Sequence, residues 1–264
     1  MSRAVDAIGT VKSHEELGPG LFRLVVEAPG IARSARPGQF VQMKVSPGMD
    51  PLLRRPMSIA GVHGGRIEIL YEVVGTGTRA LSQRRVGETL PVLGPLGRGF
   101  AFVKRVSFSI LVGGGSGVPP LLFLAERMKR KGLAFLGART KSLLLGEKEL
   151  RKSGWEVEVS TDDGTRGHRG FVSDIFAKRL SDFPSRGGVY ACGPIPMIQT
   201  VAGLCAQKKM ACQVSLEAMM ACGIGICRGC VVPVRAGGKY MDICREGPVV
   251  EANRIDWEAL SRAL

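Results

Sequence analysis

The sequence predicts a protein of the β + α/β class: an antiparallel β-barrel, then an α/β domain with a parallel sheet, then a small C-terminal domain. Residues 1–104 contain short β-rich stretches broken by Gly and Pro. Residues 105–207 alternate strand and helix patterns, and residues 208–264 are rich in Cys and Gly. We therefore expect three domains with these boundaries.

Composition and charge limit the possible classes of protein. Of the 264 residues, 45% are hydrophobic and 23% are charged, as in ordinary globular proteins. The longest apolar runs fall far short of the roughly 20 residues that a membrane-spanning helix needs. The net charge is +14, but no basic run exceeds three residues, so we assign it to solvated faces and to attraction for phosphorylated cofactors. We expect neither a membrane segment nor a nucleic-acid partner.

Two motifs in the predicted barrel suit a flavin dinucleotide. In residues 54–59, RRPMSI, Arg55 can form a two-pronged contact with a pyrophosphate, and Ser58 can hydrogen-bond the edge of a flavin ring. In residues 75–78, GTGT, Gly77 and Thr78 can offer backbone N–H groups and a hydroxyl to phosphate. Each string alone is common in turns. Both together, in this order within a β domain, predict an FAD site.

The α/β domain is predicted from alternating elements. We expect strands over residues 106–112, 133–137, 155–160 and 188–191, and helices over 119–131, from Val172 and from Met197. A glycine-rich loop joins the first strand to its helix and contains Gly113, Gly114, Gly115 and Gly117. Such a loop lets the backbone approach a phosphate beside a helix N-terminus. It lacks the third glycine of GxGxxG, and a simple glycine turn is the alternative, but its context predicts an NAD(H) site.

Two further strings end predicted strands at the carboxyl edge of the sheet, where ligands of such sheets bind. Cys192, Gly193 and Pro194 form the first. Cys192 either borders the nicotinamide or is a buried cysteine before a turn, and both interpretations stay open. The second string, residues 161–164, contains two aspartates, and we interpret it as an Asx turn rather than a nucleotide contact.

Four cysteines have the spacing C-x4-C-x2-C-x13-C, which is typical of plant-type [2Fe–2S] sites: Cys222, Cys227, Cys230 and Cys244. Structural zinc sites usually present two short CxxC-like hooks, so zinc is the weaker interpretation. A disulfide framework is typical of small secreted chains, whereas this chain is long and has no signal-peptide pattern. The sequence thus predicts a cytoplasmic iron–sulfur protein, with Cys205 and Cys212 as buried bystanders.

In this order, the strings RRPMSI, GTGT, LVGGGSGVPP, YACGPIPM and CGIGICRGC resemble those of the electron-transfer subunits of B-type dihydroorotate dehydrogenases, in the ferredoxin-NADP reductase superfamily. The resemblance covers nearly all of the chain and implies that the four cysteines ligate the cluster. The superfamily usually has an aromatic residue where this chain has Met57, so we expect the flavin face to be covered differently. The FAD contacts that the resemblance implies are Arg55, Pro56, Met57, Ser58, Leu70, Tyr71, Glu72, Gly77 and Thr78.

The resemblance also implies a function. Electrons would pass between NADH, FAD and the [2Fe–2S] cluster, and from there to the FMN of a separate catalytic subunit, which interconverts dihydroorotate and orotate in pyrimidine biosynthesis. The expected assembly is a heterotetramer with two copies of each subunit. No catalytic acid or base is required of this chain, and Ser58 and Cys192 are the candidates beside the redox-active rings. We expect NADH rather than NADPH, although Arg139 could meet a 2′-phosphate.

Two alternatives stay open. The first is a flavin and iron–sulfur subunit of another NAD(P)H oxidoreductase, of the ferredoxin-dependent transhydrogenase or sulfide dehydrogenase type. The second is a non-catalytic module in which the cysteines hold zinc.

Overall fold

The computed structural model describes residues 4–46, 48–103, 106, 108–129, 131–235 and 239–263. Lys104 and Arg105, at the first predicted domain boundary, lie outside the described residues, as do Ser107 and Arg130 of the predicted strand and helix. The described residues form two seven-stranded sheets and a two-stranded hairpin.

The first sheet is antiparallel and forms the expected β-barrel as a curled half-barrel. Val26, Ile67 and Ile69 show the alternation of a sheet with one buried face, because each is fully buried while its neighbours along the strand are more exposed. The strand order is β4-β3-β7-β1-β2-β6-β5. The elements are β1 (Val5–Gly18), β2 (Leu21–Glu27), α1 (Pro29–Ala32), β3 (Phe40–Met43), β4 (Arg55–Ser58), β5 (Gly61–His63), β6 (Arg66–Glu72), α2 (Thr76–Ser82) and β7 (Thr89–Leu96).

The second sheet has the strand order β11-β10-β9-β8-β12-β13-β16 and is parallel except for the β13–β16 pair. Its central strands are buried along their length, apart from the partly exposed Phe108 at the start of β8, as expected for parallel strands covered on both faces. The elements up to residue 207 are β8 (Phe108–Gly114), α3 (Val118–Arg127), β9 (Leu133–Ala138), α4 (Glu147–Lys152), β10 (Glu156–Thr161), β11 (His168–Arg169), α5 (Val172–Arg179), β12 (Gly187–Cys192) and α6 (Ile195–Gln207).

The helix predicted over residues 119–131 is shorter than expected, because it ends at Arg127. Met128 adopts an extended backbone and its side chain is buried, which turns the chain toward β9. Lys131 Nζ then donates hydrogen bonds to the carbonyl oxygens of Ala125 and Met128, at 2.8 and 3.0 Å. These bonds satisfy carbonyl groups that a longer helix would have bonded internally.

The C-terminal segment is interleaved with the α/β sheet. β13 pairs in parallel with β12, and β16 pairs antiparallel with β13, so both join the sheet from beyond residue 207. The division into domains at 104/105 and 207/208 remains a prediction. The elements are β13 (Ala211–Ser215), β14 (Val231–Val234), β15 (Lys239–Asp242), α7 (Ile243–Glu246), β16 (Val249–Glu251) and α8 (Trp257–Ala263), with β14 and β15 forming the hairpin.

The barrel and the α/β part share buried apolar side chains. Phe123 of α3 is fully buried within the apolar cluster of the barrel. In the opposite direction, Phe40 and Leu96 of the barrel belong to the cluster that fills the α/β sheet and the cysteine segment. Within the described ranges, no helix has the length and apolar content needed to cross a membrane.

We predict that Phe123→Ala lowers the free energy of unfolding by about 3–5 kcal/mol, because it opens a cavity at the junction of barrel and sheet. Phe102→Ala is the matched control, since Phe102 is 53% exposed and its loss should change stability by only about 0.5 kcal/mol. Denaturant titration of both variants measures the difference. Equal losses would contradict the role of Phe123 at the junction.

Candidate functional site

A cavity of about 680 Å³ lies where the barrel meets the carboxyl ends of the parallel strands. Tyr71 and Glu72 line it from the end of β6, and Gly114 and Gly115 line it from the end of β8. The other walls come from the ends of β9 and β10 and the starts of α5 and α6. The sheet continues in opposite directions from β8, toward β9 on one side and β12 on the other. Open α/β sheets bind ligands at such a switch point.

The structure brings the two predicted nicotinamide strings into direct contact. A Cβ at Gly117 would overlap the backbone of Cys192 and Gly193, so only glycine allows this approach. A Cβ at Gly193 would lie 3.0 Å from the carbonyl oxygen of Gly114. Gly114, Gly115 and Pro194 line the cavity. Gly113, Gly117, Cys192 and Gly193 are not among the residues that line it.

Cys192 is a buried thiol at the end of β12. It is 2% exposed, and burial raises its pKa, with the nearby Glu217 carboxylate adding to the shift. A thiol in this environment stays protonated at neutral pH. Cys192 is therefore a buried, neutral thiol rather than a nucleophile.

Glu217 connects the cysteine segment to the cavity loop. Desolvation raises the pKa of its carboxyl group, although the side chain also has an exposed part, and a hydrogen bond with Ser116 lowers it. Ser116 lies in the glycine loop and lines the cavity. Sequence reasoning did not select Glu217 or Ser116. Each of the two follows the end of a strand, Ser116 after β8 and Glu217 after β13, and that position was the available signal.

An ion pair crosses the rim of the cavity. Arg139, just after β9, donates from Nη2 to Glu72 Oε1 at 2.8 Å. The pair links the barrel to the α/β sheet at the cavity mouth.

Asp162 also lines the cavity, and the Asp163 side chain accepts a hydrogen bond from the Thr165 backbone at 3.0 Å, which is the expected Asx turn.

Tyr71 is held by a ring cluster on the barrel. Its ring stacks on Phe22 with centroids 5.6 Å apart, and its hydroxyl is 2.8 Å from His14 Nε2. His14 Nδ1 lies 2.7 Å from the Arg84 carbonyl oxygen, which can only accept, so Nδ1 carries the proton. In the neutral imidazole, Nε2 then accepts from the Tyr71 hydroxyl. Burial raises the pKa of Tyr71, so the phenol stays protonated.

The two predicted flavin motifs are also in contact. The Arg55 side chain lies across Gly77, where a Cβ would be 2.8 Å from Arg55 Cζ. The GTGT string begins a helix, α2, rather than forming a simple bend. Thr78 Oγ1 accepts hydrogen bonds from the backbone N–H groups of Val74 and Gly75, at 2.9 and 3.2 Å. These bonds occupy the hydroxyl that the sequence suggested for phosphate.

The remaining predicted flavin residues are placed on two strands. Met57 is buried in the apolar cluster of the barrel, while Pro56 and Ser58 are half-buried on β4. Leu70 is buried in the cluster that includes α3 and β12. Tyr71 and Glu72 face the cavity.

The four cysteines form two pairs. The side chains of Cys222 and Cys227 hydrogen-bond each other, and so do those of Cys230 and Cys244. No three His, Cys, Asp or Glu side chains in the described part of the chain have the geometry to hold a single metal ion. Cys230 and Cys244 are buried, whereas Cys227 is exposed. Cys205 and Cys212 are buried, as predicted.

Backbone N–H groups point at the sulfur atoms. Cys222 Sγ accepts from the amides of Ile224 and Cys227 at 3.5 and 3.4 Å, and Cys230 Sγ accepts from the amide of Cys244 at 3.4 Å. Gly229 donates to Cys227 Sγ at 3.5 Å. Such donors stabilise thiolates and the sulfur atoms of iron–sulfur clusters. The donor set therefore fits a cluster.

The pKa values of the outer and inner thiols differ in direction. Desolvation acts to raise the pKa of Cys222, but hydrogen bonds from the Cys227 and Ile224 amides outweigh it and lower the pKa to about 6. For Cys244, burial and the neighbouring Cys230 raise the pKa to about 12. The loop thus favours the thiolate that a metal needs at its exposed end.

Comparison with known proteins identifies relatives over nearly the whole chain. The family model for the iron–sulfur cluster binding domain of dihydroorotate dehydrogenase B matches residues 217–256. The dihydroorotate dehydrogenase B (NAD(+)) electron transfer subunit of Bacillus mycoides is 39% identical, with 93% of this chain and 96% of that protein aligned. The chain belongs to this family. The same subunit of a Geobacillus species is 38% identical over the same shares of both chains.

Solved structures support the fold of this family. An NADH-dependent reduced ferredoxin-NADP oxidoreductase, studied for flavin-based electron bifurcation, matches with a TM-score of 0.84 and 28% identity, covering 97% of this chain and 92% of that one. The ferredoxin reductase of carbazole 1,9a-dioxygenase matches with a TM-score of 0.66 and 21% identity, covering 78% and 67%. The second match concerns the fold alone.

Residues missed by the sequence analysis line the cavity from the starts of helices and the ends of strands. Phe171 and Ser173 belong to the start of α5, and Met197 and Thr200 to the first turns of α6. They carry no motif of their own. Their positions after predicted strands were the only signal, because ligands gather at that edge of the sheet.

We predict that Gly77→Ala weakens FAD binding with little loss of fold stability. The added methyl group meets the flexible end of Arg55, so the guanidinium moves while the backbone need not. Gly75→Ala is the matched control, because its backbone is extended and a Cβ there would meet nothing within 4 Å. Flavin fluorescence on dilution measures retention, with an expected affinity loss of about tenfold for Gly77→Ala, equal to about 1.4 kcal/mol. Equal retention in both variants would contradict the proposed Arg55 contact.

Proposed function

We propose that this chain is the electron-transfer subunit of a B-type dihydroorotate dehydrogenase, which moves electrons between NAD(H), FAD, a [2Fe–2S] cluster and the FMN of a partner catalytic subunit in pyrimidine biosynthesis. The observation that carries the proposal is 39% identity over 93% of the chain to a relative with that subunit's name. The match of residues 217–256 to the iron–sulfur domain of the same enzyme supports it.

The barrel provides the proposed FAD site. Arg55 would pair with the pyrophosphate beside Gly77 and Thr78, and Ser58 would hydrogen-bond the ring edge. The close approach of Arg55 to Gly77, which leaves no room for a Cβ, supports this fit. FAD, when bound, exchanges a hydride for single electrons. Further residues of the proposed site are Pro56, Met57, Leu70, Tyr71 and Glu72.

The cavity provides the proposed NAD(H) site. Gly114 and Gly115 of the glycine loop and Pro194 line it, and its volume of about 680 Å³ is within the range of small-molecule sites. The proposed site includes Gly113, Gly117, Cys192 and Gly193, which are adjacent in the same two strings. The Arg139 guanidinium is already paired with Glu72 at the rim, 2.8 Å away. A 2′-phosphate approaching Arg139 would meet the Glu72 carboxylate. This repulsion favours NADH over NADPH.

The cysteine segment provides the proposed cluster site. Cys222 and Cys227 would hold one iron, and Cys230 and Cys244 the other, because these are the two pairs in hydrogen-bond contact. The backbone donors around them would stabilise the added negative charge of reduction. A bound [2Fe–2S] cluster supplies transfer of one electron at a time.

The surface around the cysteine segment is the proposed docking site for the catalytic subunit. Met219 is 91% exposed and Ile226 is 76% exposed, and Ile224 and Tyr240 of the same segment are also exposed. Large apolar side chains grouped on a surface are typical of protein–protein contacts. Docking there brings the partner's FMN to the exposed Cys227 end of the segment. The expected assembly contains two copies of each subunit.

A second candidate function has a specific observation in its favour. The structural match with 28% identity and a TM-score of 0.84 is to an NADH-dependent reduced ferredoxin-NADP oxidoreductase. Under this alternative, the chain would be a flavin and iron–sulfur subunit of an enzyme of that type. This alternative is the weaker candidate, because the chain has a higher identity, 39%, to a dihydroorotate dehydrogenase subunit.

We predict that NADH-coupled turnover of orotate by the coexpressed catalytic subunit requires this chain. Cys222→Ser should abolish the coupling, because it removes one proposed iron ligand, while Cys205→Ser should retain it, since Cys205 is a buried cysteine outside the two pairs. The assay follows NADH oxidation and orotate loss in the copurified complex.

Three results would overturn the proposal. Coupling that persists without this chain removes its role. If the chain copurifies with a different large flavoprotein and does not copurify with the dihydroorotate-oxidising subunit, the alternative oxidoreductase is favoured. A colourless chain that contains zinc and no iron makes it a zinc module.

A further inference from the structure

Gln42 is a buried amide without a partner. It lies on β3, is 0% exposed, and neither Nε2 nor Oε1 has a hydrogen-bond partner among the described residues. Its cross-strand neighbours are Pro56 on β4 and Leu93 on β7, whose side chains cannot hydrogen-bond. Burying an amide without a partner costs stability, and such groups in folded proteins mark a missing partner.

The amide packs against the cysteine segment. A Cβ at Gly223 would lie 2.7 Å from Gln42 Cγ and 2.8 Å from Gln42 Nε2. Gly223 has a φ of +71° and directly follows Cys222, so the loop can pass this close only with glycine there. Of the two amide atoms, Nε2 is the one in this contact.

Gln42 also lies beside the proposed flavin strand. β3 pairs with β4, and Gln42 is opposite Pro56, between Arg55 and Met57. The side chain is therefore at the interface between the proposed FAD site and the proposed cluster site. Because an amide is neutral, Gln42 contributes a dipole without net charge at this position.

We propose that Gln42 Nε2 donates a hydrogen bond to a sulfur of the [2Fe–2S] cluster on the Cys222 side, and that Gln42 is a positioning residue that raises the reduction potential of the cluster. The inference rests on the proposed function. Thiolate and sulfide sulfurs accept hydrogen bonds, and the N–H₂ end of the amide is the end that faces the loop. Reduction adds negative charge to the cluster, so an N–H donor stabilises the reduced state more than the oxidised state.

The test is a potentiometric titration of the purified holo-protein, in which the cluster is followed by EPR and the flavin by visible absorbance. Gln42→Leu keeps the size of the side chain and removes the donor. The expected result is a cluster potential that is about 59 mV more negative. For a one-electron couple, this shift corresponds to a tenfold loss of electron affinity. The flavin potential should stay unchanged.

The matched control is Gln213→Leu on β13. Gln213 is also buried, but both ends of its amide are bonded, to the Ala101 amide at 2.9 Å and to Glu251 at 3.0 Å. Its loss should leave the cluster potential unchanged. Gln42→Asn is the second variant, used if Gln42→Leu does not accumulate, because it withdraws the amide by one methylene and should shift the potential in the same direction.

An unchanged cluster potential in the Gln42 variants would overturn the inference, and so would a shift confined to the flavin, which would assign the amide to FAD. A second measurement is the coupling of an exchangeable proton to the reduced cluster by ENDOR, which Gln42→Leu should remove. Failure of the proposed function is distinguishable. Without a cluster, the wild-type protein would show no [2Fe–2S] EPR signal, and with a cluster but another partner, the signal would persist while NADH-coupled orotate turnover failed.

Discussion

The pairing of β13 with β16 fixes the cysteine segment, and the rest of the site depends on it. Ser215 pairs with Val249, so the chain leaves the sheet and returns to it at the same point. Gly97 and Arg98, after β7 of the barrel, contact this return: the Arg98 backbone bridges to Pro248, and a Cβ at Gly97 would lie 2.6 Å from Pro248 Cδ. The segment is therefore held against both the sheet and the barrel.

This anchoring explains why the candidate sites are neighbours. Phe40 and Leu96 of the barrel share one apolar cluster with Cys230 and Cys244. Glu217, at the start of the segment, bonds Ser116 in the cavity loop. The barrel, the cavity and the cysteines thus form one packed unit.

The electrostatics of the site rely on dipoles more than on charged side chains. Backbone N–H groups donate to the cysteine sulfurs, and the thiol of Cys192, whose backbone contacts Gly117 of the cavity loop, is buried and neutral. Glu72 and Arg139 carry opposite charges, so their ion pair adds no net charge at the rim of the cavity.

The sequence predicted the fold class, the family and the strings that meet in the structure, because each depends on local pattern: the cysteine spacing, the glycine loop and the alternation of strands with helices. It did not predict that β13 and β16 join the α/β sheet, since that pairing joins distant parts of the chain. The early end of α3 at Arg127 depends on the burial of Met128, and the isolation of Gln42 depends on neighbours from two other strands and a loop. Such features arise from tertiary packing, which no local pattern records.

The central claim is that one chain connects NADH to a [2Fe–2S] cluster. Anaerobic titration of the purified holo-protein with NADH, followed by EPR in the absence of any partner subunit, tests it most directly. The EPR signal of a reduced [2Fe–2S] cluster should grow as NADH is added. If NADH bleaches the flavin while a cluster that dithionite can reduce gives no signal, the proposed transfer of electrons from NADH to the cluster is contradicted.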